Sequence, residues 1–346
     1  MKKVAIAAAV AGAFATSATA AELSFSLQQE VAFEQQNINS GNGSDVKSTN
    51  MTQSGNNMAH IFYTDDLGNG LTLTGQVQIR VEPAGGQTPG SIENRDSTIG
   101  LSGDFGTISM GTMEPWSELG AILNDGFGAA YGIGGDHLKA TQIGRAGNVG
   151  FTNVISEAIQ WTSKDMNGLK VVALYGAEST AATTSVDTEF TDLYVQYNTG
   201  PMQLRAAVAG ASDMGGTQGD SMDATTVGVT YDFGMASASL QLSNIESVTS
   251  GVAYEVDGSA FNLTVPMASG RMVFNYAEQG DQKQANATVA NSGWDGWDVA
   301  YQYDASANTM LWVRYATQTV GQAYTSTSTT NESGSDYLQL GIRFIY

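Results

Sequence analysis

The chain has 346 residues, 34 acidic and 14 basic side chains, a net charge of −20 and no cysteine. That balance excludes a nucleic-acid partner, whose phosphates need basic patches, and the lack of cysteine excludes disulfides and Cys-based metal sites. Hydrophobic residues make up 42% of the chain, but no run after the N-terminal segment is long and uncharged enough for a membrane-crossing helix, which needs about 20 residues.

The first 20 residues read as an export signal, leaving 21–346 as the folded unit. Lys2 and Lys3 give the positive start, residues 4–14 are a short apolar run, and Ala18-Thr19-Ala20 is a small-residue cleavage site. From there the chain reads as strand after strand. Leu71, Leu73, Val77, Ile79 and Val81 share one face, and Thr72, Thr74, Gln76, Gln78 and Arg80 the other. The same period of two recurs at Leu169-Val171-Ala173-Tyr175, Leu193-Val195-Tyr197, Met202-Leu204-Ala206-Val208 and Val227-Val229-Tyr231-Phe233. It continues at Met272-Phe274-Tyr276, Trp297-Val299-Tyr301-Tyr303 and Leu311-Val313-Tyr315, and ends with residues 337–346. Alternation of this kind is the strand signal.

Connections alternate in length. Tight polar turns are predicted at 65–70, 104–106, 165–168, 198–200 and 232–235, and long Gly/Ser/Thr/Asn-rich loops at 37–57, 210–223, 278–291 and 320–334. Short turns at one rim and long loops at the other belong to a transmembrane barrel, and the count comes to about 16 strands. Only the division of 251–267 stays open, with 14 and 18 as the other counts. Closure follows from lipid as solvent, because every backbone N–H and C=O needs a partner there. A soluble sandwich fits less well, since the second face of each strand is polar and aromatics gather at strand ends. The expected fold class is therefore all-β, an antiparallel transmembrane barrel. Residues 114–150 form the longest irregular stretch of the first half. With Trp116, Leu119, Ile122, Leu123, Phe127 and Tyr131 it is too apolar for a disordered tail, and it is expected to fold against the inner wall of the barrel.

Three stretches carry a family resemblance: residues 57–82 (NMAHIFYTDDLGNGLTLTGQVQIRVE), 95–115 (RDSTIGLSGDFGTISMGTMEP) and 336–346 (DYLQLGIRFIY), with a weaker match at 156–175. In order and spacing they resemble the general porins of Gram-negative outer membranes. The resemblance implies a 16-stranded barrel, a homotrimer in outer-membrane lipid, and a third loop folded into the pore as a constriction. It implies passive diffusion of small hydrophilic solutes and ions, and a final strand read by the barrel-assembly machinery through Leu338, Leu340, Ile342, Phe344 and Tyr346. The sequence departs from the family pattern at Thr112, Met58 and Thr98, where Arg is common, and at Tyr346, where Phe is usual. The first three departures weaken the basic side of the eyelet and put ordinary anion permeation in doubt.

A selective pore needs fixed charges where water is thin and screening is poor. The candidates on the loop side are Glu114, Glu118, Asp125 and Asp136, faced by Arg80, Arg95 and Arg145. Lys170, Arg205, Arg271, Arg314 and Arg343 fall on polar faces and should line the wall. The acidic balance favours cations over anions. A sugar-specific channel is the alternative, but Trp161, Trp294, Trp297 and Trp312 form no evident track. An outer-membrane enzyme fits poorly, because His60 and His137 are the two histidines and neither lies in a nucleophile motif. No cofactor or metal is expected.

Overall fold

The computed structural model describes residues 21–39, 46–52, 57–81, 92–116, 154–178, 186–214, 217–320 and 333–346. The expected export signal, and the expected constriction loop beyond Trp116, lie outside the described residues.

Among these residues the chain forms nineteen strands in one antiparallel sheet that closes on itself. The seam is formed by β1 (Glu22–Asn39) and β19 (Ser333–Ile345), paired from Gln28↔Ile345 to Asn39↔Gly334. On its other edge β1 meets β2 (Val46–Thr52) and then β3 (Met58–Gly68), which together fill one place in the wall. Next come β4 (Leu71–Val81), β5 (Ile92–Gly103), β6 (Gly106–Met113), β7 (Ile155–Thr162), β8 (Leu169–Glu178) and β9 (Thr188–Thr199). They are followed by β10 (Met202–Ser212), β11 (Ser221–Asp232), β12 (Ser237–Thr249), β13 (Val252–Met267) and β14 (Gly270–Gln279). A small hairpin of β15 (Lys283–Gln284) and β16 (Ala287–Thr288) leaves the wall and lies along the end of β13. β14 therefore pairs directly with β17 (Trp294–Asp304), which leads through β18 (Thr309–Val320) to the seam. With β2 and β3 sharing a place and the small hairpin outside the wall, the barrel has sixteen positions, the number expected from the sequence.

The ambiguous stretch is one strand, β13, joined to β12 by a two-residue turn at Ser250-Gly251. The predicted loop 37–57 is shorter than expected. β1 runs to Asn39, and β2 lies inside the stretch, pairing Gln36↔Ser48 and Asn37↔Lys47. These strand ends are mostly polar, and their apolar residues, Ile38, Val46 and Met51, do not recur along one face, so alternation does not mark them and backbone pairing defines them.

Turn chemistry fixes the register at the tight-turn rim. At the β3–β4 turn Asn69 and Gly70 both have positive φ, 53° and 75°. That is the primed hairpin geometry whose twist matches the strands, and Asn-Gly adopts it with least strain. Side chains then sort by parity. Outward positions are apolar and exposed, such as Val208 at 55%, Leu340 at 55% and Leu193 at 47%. Inward positions on the same strands are buried and mostly small or polar, such as Asp192, Ala207, Ala209 and Gln339. This reverses a soluble protein, whose apolar faces turn inward, and it is what lipid outside and water inside require.

Candidate pore lining

The inward face holds the basic side chains. Arg80 on β4, Arg95 on β5, Lys170 on β8, Arg205 on β10, Arg271 on β14, Arg314 on β18 and Arg343 on β19 all take the inner parity. The other basic residues among those described, Lys47, Lys164 and Lys283, sit at the rims. Lipid explains the sorting, since a charge on the lipid face at mid-depth costs about 2–4 kcal/mol.

These bases differ in their partners. Arg314 donates to Asp298 at 2.8 Å and Arg343 to Glu30 at 2.6 Å, so each faces a carboxylate. Arg271 donates to the Gln302 amide oxygen at 2.5 Å and approaches the Met310 sulfur at 3.6 Å. Arg205 donates to Gln203 at 2.7 Å and to the Thr230 hydroxyl at 3.2 Å. The ammonium of Lys170 stands 3.6 Å from the centre of the Trp116 ring, a cation–π contact. Amides and carboxylates join these groups across strands. Asn262 donates to Asn275 at 2.7 Å, Asn275 to Asp298 at 3.0 Å, and Gln339 to Glu34 at 2.6 Å. The wall from β10 round to β1 thus carries a polar, hydrogen-bonded belt.

The inner wall from β6 to β13 also holds an apolar patch. Val172, Leu174, Phe190, Tyr194, Met222 and Ile245 pack there, with Trp116 and Met214 against them. After β6 the chain turns into the barrel at Glu114 and Pro115, and the ring centroid of Trp116 lies 5.7 Å from that of Tyr194. At the turn, Glu114 forms a buried ion pair with Arg95, and its backbone N–H donates to Asp96 at 3.0 Å.

The structure therefore brings together Arg95 and Glu114, and it sets Lys170, Arg205, Arg271, Arg314 and Arg343 around the wall. Arg80 lies opposite Met58 on the inner face. Glu118, Asp125, Asp136 and Arg145 are outside the described residues. Inward Trp294 and Trp312 lie on neighbouring strands apart from Trp116, while Trp161 and Trp297 face outward. His60 stacks on Phe62 at 5.7 Å. Sequence reasoning assigned no role to Glu30, Glu34, Asp96 or Asp298. Parity would have placed Glu30, Glu34 and Asp298 inside. Asp96 carried no such signal, because it is inward together with its neighbour Arg95.

No curated protein sequence matches the chain. Its fold is that of an anion-selective porin from Comamonas acidovorans, with TM-score 0.74 and 19% identity over 94% of this chain and 100% of that one. The trimer form of OmpT from Vibrio cholerae gives TM-score 0.65 at 16% identity over 95% and 100%. OmpF of Salmonella typhi, in complex with daunomycin, gives TM-score 0.63 at 14% identity over 94% and 97%. At these identities the likeness is one of fold. The sequence model of the Gram-negative porins matches residues 5–323, and with a closed barrel that is apolar outside and charged within, this chain belongs to the Gram-negative porin family of the outer membrane.

Proposed function

We propose that the chain forms a homotrimeric, water-filled pore for passive diffusion of small hydrophilic solutes and ions, with a mild preference for cations. The observation that carries this reading is the sorting of charge. Seven bases of the barrel strands face the interior, while exposed acids such as Glu189, Asp223, Glu246, Asp257, Glu278 and Asp295 crowd the outer surface toward the long-loop rim. That rim faces the cell exterior in such barrels. Its field reaches about 8 Å at physiological ionic strength and gathers cations at the mouth. Within the lumen, Arg314, Arg343 and Arg95 face carboxylates, whereas Lys170 and Arg271 contact neutral groups. The interior therefore still admits anions, which keeps the preference mild.

In this reading residues 1–20 direct export, 21–346 form the barrel, and 114–150 form the constriction. The inward turn at Glu114, the seat of Trp116 on Tyr194, and the apolar patch on the inner wall support the last assignment. Glu118, Asp125 and Asp136 supply eyelet acids, and Arg80 and Arg145 the facing bases. The final strand engages the assembly machinery, and the apolar outer face meets lipid and the other protomers. Trimer assembly draws support from the fold, which is shared with an outer-membrane protein of Vibrio cholerae in trimer form.

Single-channel recording of the purified protein in a planar bilayer under a KCl gradient tests the reading. The expected result is a stepwise ohmic conductance whose reversal potential has the sign of cation preference. A reversal potential of opposite sign overturns the preference, and absence of conductance overturns the pore. Block by one sugar at low concentration would instead favour the sugar-specific channel.

A further inference from the structure

The β4–β5 pairing breaks register between Val77↔Ser97 and Ile79↔Asn94, so two residues of β5 stand opposite Gln78 alone. Such a bulge can place consecutive side chains on one face. Here Arg95 and Asp96 both lie buried on the inner side, at 3% and 7% exposure. Asp96 then gathers three N–H donors. Its Oδ1 accepts the backbone N–H of Glu114 at 3.0 Å, and its Oδ2 accepts the amides of Gln76 at 3.2 Å and Gln78 at 3.4 Å. Arg95, next in sequence, pairs with the Glu114 side chain. Both ends of Glu114 are thus held by adjacent residues of one strand, at the point where the chain leaves β6 for the interior. Two residues later Trp116 rests on Tyr194 and under Lys170.

The geometry points to Asp96, backed by the Arg95–Glu114 ion pair, as the positioning residue that fixes where and at what angle the chain enters the lumen after β6. Arg95 and Glu114 then act as a latch on the wall and spend their charges on each other, and Asp96 supplies the bond that orients the backbone. A carboxylate suits the task, since it accepts several N–H donors at once and binds them more strongly than a neutral oxygen does. The inference rests on the pore reading, because the consequence of moving this turn is a change in the narrow part of a channel.

The test uses the full-length trimer. The chain has no cysteine, so Trp116→Cys supplies a unique thiol at the turn. Asp96→Ala, made with and without Trp116→Cys, should leave the heat-resistant folded barrel in place. Open-channel current noise should rise several-fold and the unitary conductance should shift. The thiol should label with an impermeant maleimide about tenfold faster or more, the scale set by loss of a buried charge-assisted hydrogen bond. Asp96→Asn keeps an acceptor for the Glu114 N–H and should restore low noise and slow labelling. Should Asp96→Ala not fold, Glu114→Pro removes the N–H donor together with the carboxylate that Arg95 faces, leaves Asp96 intact, and should give the same noise and labelling, while Glu114→Gln, which keeps the N–H, should not. Wild-type noise, conductance and labelling in a folded Asp96→Ala or Glu114→Pro barrel overturn the inference. A wild-type protein that does not conduct overturns the pore reading instead, so the two failures are distinct.

Discussion

Arg314 and Asp298 form an enclosed ion pair on the inner wall, with 2% and 0% of their side chains exposed. Asp298 also accepts two bonds from Asn275, at 3.0 and 3.2 Å. Removing one partner from such a pair leaves a buried charge and typically costs about 3–5 kcal/mol. Arg314→Ala should lower the unfolding free energy read from urea titration by that amount, and Arg314→Met with Asp298→Leu by clearly less. Equal losses would show that the pair itself, and not the stranded carboxylate, sets the cost. A second ion pair lies at the other extreme of exposure. Lys164 donates to Asp104 at 2.6 Å between neighbouring tight turns and holds the Asp104 carboxyl below the usual range. A depressed carboxyl stabilises above its unfolded pKa and loses that contribution as pH falls through its folded pKa. In a carboxyl-carbon NMR titration, Lys164→Gln should move the Asp104 midpoint upward. At this scale parity made Lys170, Arg205, Arg271, Arg314 and Arg343 legible as inward. It could not reveal which of them face carboxylates, because Asp298 meets Arg314, and Glu30 meets Arg343, only across a sheet register that the turns determine.

At the scale of elements, β5 and β6 form the hairpin that delivers the chain to the interior. Gly111 sits there at φ 136°, and an added Cβ would overlap the Ser97 carbonyl oxygen, next to Asp96. A side chain forced into such backbone costs on the order of 1–3 kcal/mol. Gly111→Ala should therefore reduce refolding yield and shift the unfolding midpoint downward. An unchanged midpoint would mean that the hairpin has room to relax. The alternating strands and their turns could be read directly, because lipid outside and water inside impose a period of two on every spanning segment. Two kinds of feature escaped that reading. The polar ends of β1 and β2 carry no alternation, and bulges break parity, so the inward placing of both Arg95 and Asp96 follows from pairing with β4.

For the molecule as a whole, selectivity depends on which fixed charges remain unbalanced along the lumen. Lys170 and Arg271 contact Trp116, Gln302 and Met310, which carry no charge. Lys170→Gln with Arg271→Gln should raise the cation-to-anion permeability ratio by about twofold at low salt, where such charges are least screened. The increase should shrink in concentrated KCl, and a ratio that does not change would place the selective charges elsewhere. The amino-acid sequence by itself determined the barrel, a count of about sixteen strands, its polar interior and the final strand that closes it, and the pairing of β13 with β12 and β14 completed the count. Each of these is a local pattern repeated along the chain, and the bilayer permits one closed form of it. The tertiary structure decided how charges are matched within the lumen, how Glu114 is held between Arg95 and Asp96, and where Trp116 rests. Those contacts join residues on different strands, and their distances depend on register, bulges and closure, which no single strand specifies.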